Sequence, residues 1–81
     1  MKNKIERLDT TGLLCPLPVL KIQKAIKGLK QGDLLEVISD DPVATVDIPN
    51  YCRESGHKLL KEIANGNSKF LIQKKLDKVG I

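Results

Sequence analysis

Cys15 sits in the tetrapeptide Cys15-Pro16-Leu17-Pro18, an arrangement that gives a thiol an unusual setting. A residue before proline avoids the helical region, so Pro16 pushes Cys15 toward extended geometry and Pro18 does the same to Leu17. Pro18 itself suits the first turn of a helix, where its missing N–H is no loss. The two prolines thus predict a rigid entry, stiffened at little folding cost, with Cys15 just beyond the positive end of a helix. Unsatisfied amides and the helix dipole favour an anion there, so the spacing predicts a stabilised thiolate and a lowered pKa. Such a thiol would be presented at the surface, ionised and reactive. Gly12, upstream, is expected to supply backbone freedom for the turn that leads to the cysteine.

The remaining chemistry-bearing residues read more plainly. Cys52 falls on the apolar face of a second predicted helix, where a cysteine is an inert core filler. His57, the single histidine, follows Gly56 at the entry to a strand. No carboxylate is placed locally to orient it, so it reads as a turn or edge contact rather than a general base. Asp40 and Asp41 read as helix caps and Asp47 as a helix-surface residue. Lys21, Lys24 and Lys27 form the solvated face of the first helix. Because that helix begins beside Cys15, they could also steer an acidic partner toward the thiol. Two cysteines and one histidine in no ligand spacing predict no metal site, and no cofactor motif is present.

The elements that must hold these residues follow from periodicity. Ile5 to Asp9 alternates in polarity and predicts a first strand. From Pro18 to about Lys30 the pattern is helical, with Val19, Ile22, Ile26 and Leu29 on one face and Lys30 and Gly32 at its end. Leu34 to Ile38 is an apolar run expected of a strand inside a sheet. Ser39-Asp40-Asp41-Pro42 reads as a helix start, and Ala44, Ile48, Tyr51, Cys52 and Ser55 recur at helical spacing. Pro49 predicts a kink or restart, and Gly56 an end. Lys58 to Ala64 and Lys69 to Lys75 flank Asn65-Gly66, a strong hairpin signal. The tail after Lys75 is expected to fray. The predicted order is β-α-β-α-β-β: an α+β fold, a two-layer sandwich with a four-stranded mixed sheet and two helices on one face. Lysines between Lys69 and Lys78 argue against pairing through an exposed edge.

Composition bounds the function. The 81 residues, read as one domain over 1–81, are 41% hydrophobic and 30% charged, as in soluble globular chains rather than disordered ones. One Phe, one Tyr and no Trp argue against a base-stacking platform. The net charge of +4 favours acidic partners without naming them. Apolar runs fall far short of the ~20 residues needed to span a bilayer, and the charged start resembles no secretory signal, so a cytoplasmic location and no membrane partner are expected.

The string Leu8-Asp9-Thr10-Thr11-Gly12-Leu13-Leu14-Cys15-Pro16-Leu17-Pro18 resembles the signature of the TusA/SirA family of small sulfur-carrier proteins. The resemblance continues through Gly32-Asp33, Ser39-Asp40-Asp41-Pro42, Asp47-Ile48-Pro49 and Gly56-His57, from about Leu8 to Lys75. It implies that Cys15 accepts sulfane sulfur as a persulfide from a cysteine desulfurase and passes it to a downstream acceptor protein. In TusA proper that relay leads to 2-thiouridine in certain tRNAs. The implied protein is a sulfurtransferase-type carrier rather than a stand-alone enzyme, without cofactor and without direct stable nucleic-acid binding. The resemblance also implies a place near the transfer surface for Asp47, Ile48 and Pro49. Leu17 departs from TusA itself, which typically carries Glu at that position. The competing reading is a nucleic-acid-binding or regulatory module, because the same topology resembles a ribosome-binding domain of a translation initiation factor. Salt-dependent tRNA binding indifferent to Cys15 would identify it.

Overall fold

The structure is a computed structural model that describes residues 4–65 and 67–75. In chain order it forms β1 (Ile5–Asp9), α1 (Leu17–Lys27), β2 (Leu34–Ser39), α2 (Ala44–Ser55), β3 (Lys58–Asn65) and β4 (Asn67–Gln73). The strands lie in the order β1-β2-β4-β3, with β1 parallel to β2 and the other two pairs antiparallel. This is the α+β fold that the patterning predicts. Gly66 of the expected turn and the tail beyond Lys75 lie outside the described residues.

Side chains alternate along each strand, and the inner row of each faces the helices. Leu35 and Val37 of β2 and Phe70 and Ile72 of β4 are buried against Ile22 and Ile26 of α1 and Ala44, Ile48 and Cys52 of α2. Each fully buried Ile, Leu or Phe contributes about 1.5–3 kcal/mol relative to an exposed one. That drive fixes the rotation of both helices. Once Ala44, Ile48 and Cys52 face inward, residues 47, 50, 51 and 54 must face another way. The apolar run of β2 makes sense because the strand is flanked on both sides, by β1 and β4.

Four details differ from expectation. First, α1 ends at Lys27 rather than Lys30, closed by Gly28 and a tight turn in which Gly28 and Leu29 donate to Ala25 and Ile26. The cause is Asp33, whose carboxylate takes the Lys30 amide at 2.9 Å and the Lys4 amide at 3.0 Å, so residues 30–33 serve the entry to the sheet. Those amides hold the Asp33 carboxyl below its usual range. Second, α2 begins at Ala44, with Pro42 and Val43 in a turn, although Asp41 does cap the Val43 amide at 3.0 Å. Third, α2 neither stops nor restarts at Pro49. One hydrogen bond to the Thr45 carbonyl is forfeited, but Ala44, Ile48 and Cys52 are packed on either side and hold the helix together. Fourth, β4 pairs on both sides, so its lysines do not guard an edge. The edges are β1 and β3, and Lys58 and Lys61 occupy the latter. No helix among the described residues is long and apolar enough to cross a membrane.

Candidate functional site

Parallel pairing of β1 with β2 puts the ends of both strands at the same edge of the sheet, so the loops that follow lie side by side. Thr10 extends the ladder, its amide and its hydroxyl both donating to the Ile38 carbonyl at 2.8 and 2.6 Å. The chain then turns at Gly12, whose φ of 83° is the left-handed conformation that glycine adopts freely. The Gly12 amide donates to both carboxylate oxygens of Asp40, at 3.0 and 3.1 Å. Asp41 goes further. One of its oxygens accepts the Cys15 amide at 2.8 Å and the other the Val43 amide at 3.0 Å. A single buried carboxylate therefore ties the backbone of the cysteine to the start of α2. Asp40 thus braces the cysteine loop and, among the described residues, caps no helix amide, contrary to its reading as a helix cap, while Asp41 serves both the loop and the turn that leads into α2.

Pro16 stands at the N-cap of α1 after a cis Cys15–Pro16 bond, and Pro18 lies buried in the first turn. Cys15 is exposed. Its sulfur does not engage the free amides of α1; the thiol donates to Oδ2 of Asp47, at 2.7 Å. The expectation of a lowered pKa is thereby corrected. The hydrogen bond to Asp47 comes first in raising the Cys15 pKa above its ordinary value, followed by desolvation and the negative charges of Asp47 and Asp41. The hydrogen-bonded carboxylate of Asp47, with desolvation and the charges of Asp47 and Asp41, outweighs the helix end. Asp47, which periodicity reads as a helix-surface residue and the resemblance places near the transfer surface, is the side chain that meets the thiol.

The thiol opens on a groove of about 280 Å³ lined by Cys15, Pro16, Val19, Gln23, Asp47, Asn50, Tyr51 and Glu54. The α2 contribution runs at helical spacing beside the apolar stripe of Ala44, Ile48 and Cys52, so the stripe was open to view in the periodicity. Two of the lining residues, Asp47 and Glu54, are acidic and none is basic. Lys21 and Lys24 are exposed on α1 but do not line the groove. They share the outer surface of that helix with Leu17 and Leu20, 45% and 50% exposed. Leu14, next to the cysteine in the chain, and Val43 and Val46, at the start of α2, are also exposed.

Cys52 is buried, and desolvation pushes its thiol up to about 11. It is the inert core cysteine expected of its position. His57 lies outside the groove lining. Its Nδ1 accepts the Lys75 amide at 3.0 Å, and its ring lies 5.9 Å from that of Tyr51. It works as a contact that fastens the chain after β4, and desolvation, then Lys75 and Lys74, lower its pKa. Among the described residues no group of His, Cys, Asp and Glu is placed to hold a metal ion.

Comparison with known proteins supplies the context for this arrangement. The family model described as sulfurtransferase TusA matches residues 6–74. Two proteins of Neisseria meningitidis named as sulfur carrier proteins, from serogroups A and B, are each 49% identical over 55 residues, spanning 68% of this chain and 74% of the relative. The crystal structure of a SirA-like protein from Desulfitobacterium hafniense superposes with a TM-score of 0.75 at 23% identity, covering 89% of this chain and 99% of that one. The last similarity is one of fold.

Proposed function

The chain belongs to the TusA sulfurtransferase family, and on that premise we propose that it carries sulfane sulfur as a persulfide on Cys15. The sulfur comes from a cysteine desulfurase and goes to a downstream acceptor protein, in the relay that ends in 2-thiouridine of tRNA, in the cytoplasm. One observation carries this reading: of the two cysteines, Cys15 is exposed beside an open groove and Cys52 is buried. A carrier needs one accessible thiol and no second thiol within reach, because a resolving cysteine would discharge the cargo as a disulfide.

The surroundings fit a thiol that is handed between proteins. Loop bracing by Asp40 and Asp41 fixes where the sulfur stands, while the exposed Leu14 and Leu17, on either side of Cys15 in the chain, offer apolar area for a transient partner. Lys21 and Lys24 add a positive margin that would favour an acidic partner during approach.

The test is intact-mass spectrometry after incubation with a cysteine desulfurase, its coenzyme and cysteine. The expected result is a thiol-labile gain of one sulfur atom that maps to Cys15, is absent in Cys15→Ser and persists in Cys52→Ser. No gain from a donor of the same organism, shown active on another acceptor, would overturn the reading.

A further inference from the structure

The raised pKa of Cys15 creates a chemical problem for a sulfur carrier, since the thiol must give up its proton to attack. The groups that face it are few. From α2 come Asp47, Tyr51 and Glu54; from the preceding loop comes Asp41; α1 and its entry contribute Pro16, Val19 and Gln23, none of which titrates. Asp41 has both oxygens committed to backbone amides. Asp47 is different, because among the described residues its hydrogen bond is to the thiol alone. His57 is outside the groove, and its Nδ1 is already an acceptor.

We propose that Asp47 is the proton acceptor for Cys15 in sulfur transfer, taking the thiol proton as the new sulfur–sulfur bond forms and delivering it to the sulfur that leaves. The proposal rests on the persulfide-carrier reading. With a persulfide donor RS–SH, the Cys15 sulfur bonds to the outer sulfur and the RS–S bond breaks. Its electron pair stays on RS, and the proton from Cys15 reaches that sulfur through Asp47. The products are Cys15–S–SH and RSH. One sulfane sulfur moves and nothing is oxidised or reduced overall. The 2.7 Å contact places donor and acceptor within the reach that proton transfer in a transition state requires. It also explains how a thiol can rest protonated, and so resist adventitious oxidation, yet react when a persulfide arrives.

Two roles for Asp47 predict opposite results. As a mere negative neighbour it would only slow the thiol, and its removal would speed every reaction of Cys15. As proton acceptor it slows alkylation, which needs free thiolate, but speeds sulfur transfer. Asp47→Asn and Asp47→Glu are therefore compared with the parent chain in two assays across pH. One is alkylation by iodoacetamide. The other is sulfur uptake from glutathione persulfide, a donor too small to depend on protein docking, followed by intact mass. The expected result for Asp47→Asn is an alkylation profile moved to lower pH together with sulfur uptake slowed about 100-fold, the low end for loss of general acid–base catalysis. Asp47→Glu should recover part of the uptake. Faster or unchanged uptake in Asp47→Asn, with the parent chain active, would overturn the proton role and leave the carrier reading standing. Failure of the parent chain to take up sulfur from either this donor or a desulfurase would overturn both.

Discussion

Replacing Asp41 with Ala should cost the protein both stability and the composure of its thiol. The buried carboxylate accepts two backbone amides, from Cys15 at 2.8 Å and from Val43 at 3.0 Å, and both lose their partner together. A hydrogen bond to a charged group contributes about 1.5–3 kcal/mol, so the pair sums to about 3–6 kcal/mol. Water can reach part of this loop and recover some of the loss, which sets the expectation at about 2–4 kcal/mol. For a small domain with a urea slope near ~1 kcal/mol/M, the unfolding midpoint should fall by roughly 2 M or more. Asp41→Asn keeps one acceptor oxygen and should fall between the two. The second readout is chemical. The Asp41 charge helps to hold the Cys15 pKa up, so either variant should be alkylated at Cys15 faster than the parent at neutral pH. Urea denaturation paired with iodoacetamide kinetics tests both. A stability loss below about 0.5 kcal/mol, or an unchanged alkylation rate, would refute the view that one carboxylate joins the cysteine loop to α2.

Further expectations follow from other positions. In the folded protein a thiol reagent should label one cysteine and reach Cys52 only in denaturant; two labels under native conditions would contradict the burial of Cys52. Gly56→Ala should lower stability by about 1–2 kcal/mol in thermal melts. Position 56 holds a φ of 88°, and an added Cβ would meet the Lys75 side chain at 3.4 Å; an unchanged melting temperature would argue against the left-handed cap. Desolvation, then the charges of Lys75 and Lys74, put the folded pKa of His57 below its ordinary value, so the unfolded chain binds more protons. Its contribution is therefore fully present above about pH 6.5 and is lost as pH falls through the folded pKa, and His57→Ala should flatten that part of the stability profile. An NMR titration of the His57 ring with a midpoint above 6.5 would contradict the sign.

The parts of the fold set by hydrophobic period were readable from the chain alone. Ile22 and Ile26 on one helix, and Ala44, Ile48 and Cys52 on the other, recur because one face must leave water. Alternation and the Asn-Gly signal located the strands. Boundaries set by side chain to backbone bonding across the fold were not readable. The early end of α1 depends on Asp33 also serving Lys4, 29 positions away in the chain. At the site, Cys15 was singled out by its prolines, but its electrostatics were misjudged because local sequence shows only its own helix. The carboxylate that decides them arrives from 32 positions away and becomes a neighbour only when β1 and β2 pair in parallel. The Asp-Asp-Pro segment looked like a helix start, and part of its bonding is one. That it also holds the cysteine loop requires knowing which two loops share an edge.

One consequence concerns how long a cargo would survive. Helix α2 presents Asp47 to the thiol from one stripe and keeps Cys52 in the core from the next. On the carrier reading, the same element would both face the loaded sulfur with Asp47 and keep buried the thiol that could discharge it. Any excursion that frays or rolls this helix, through its proline or from its Asp41-held start, withdraws the carboxylate and frees the second thiol at once. Leakage of the loaded form should then keep time with the opening of α2, as read by amide exchange, rather than with unfolding of the sheet. On that reading, the lifetime of the cargo would depend on one helix staying shut.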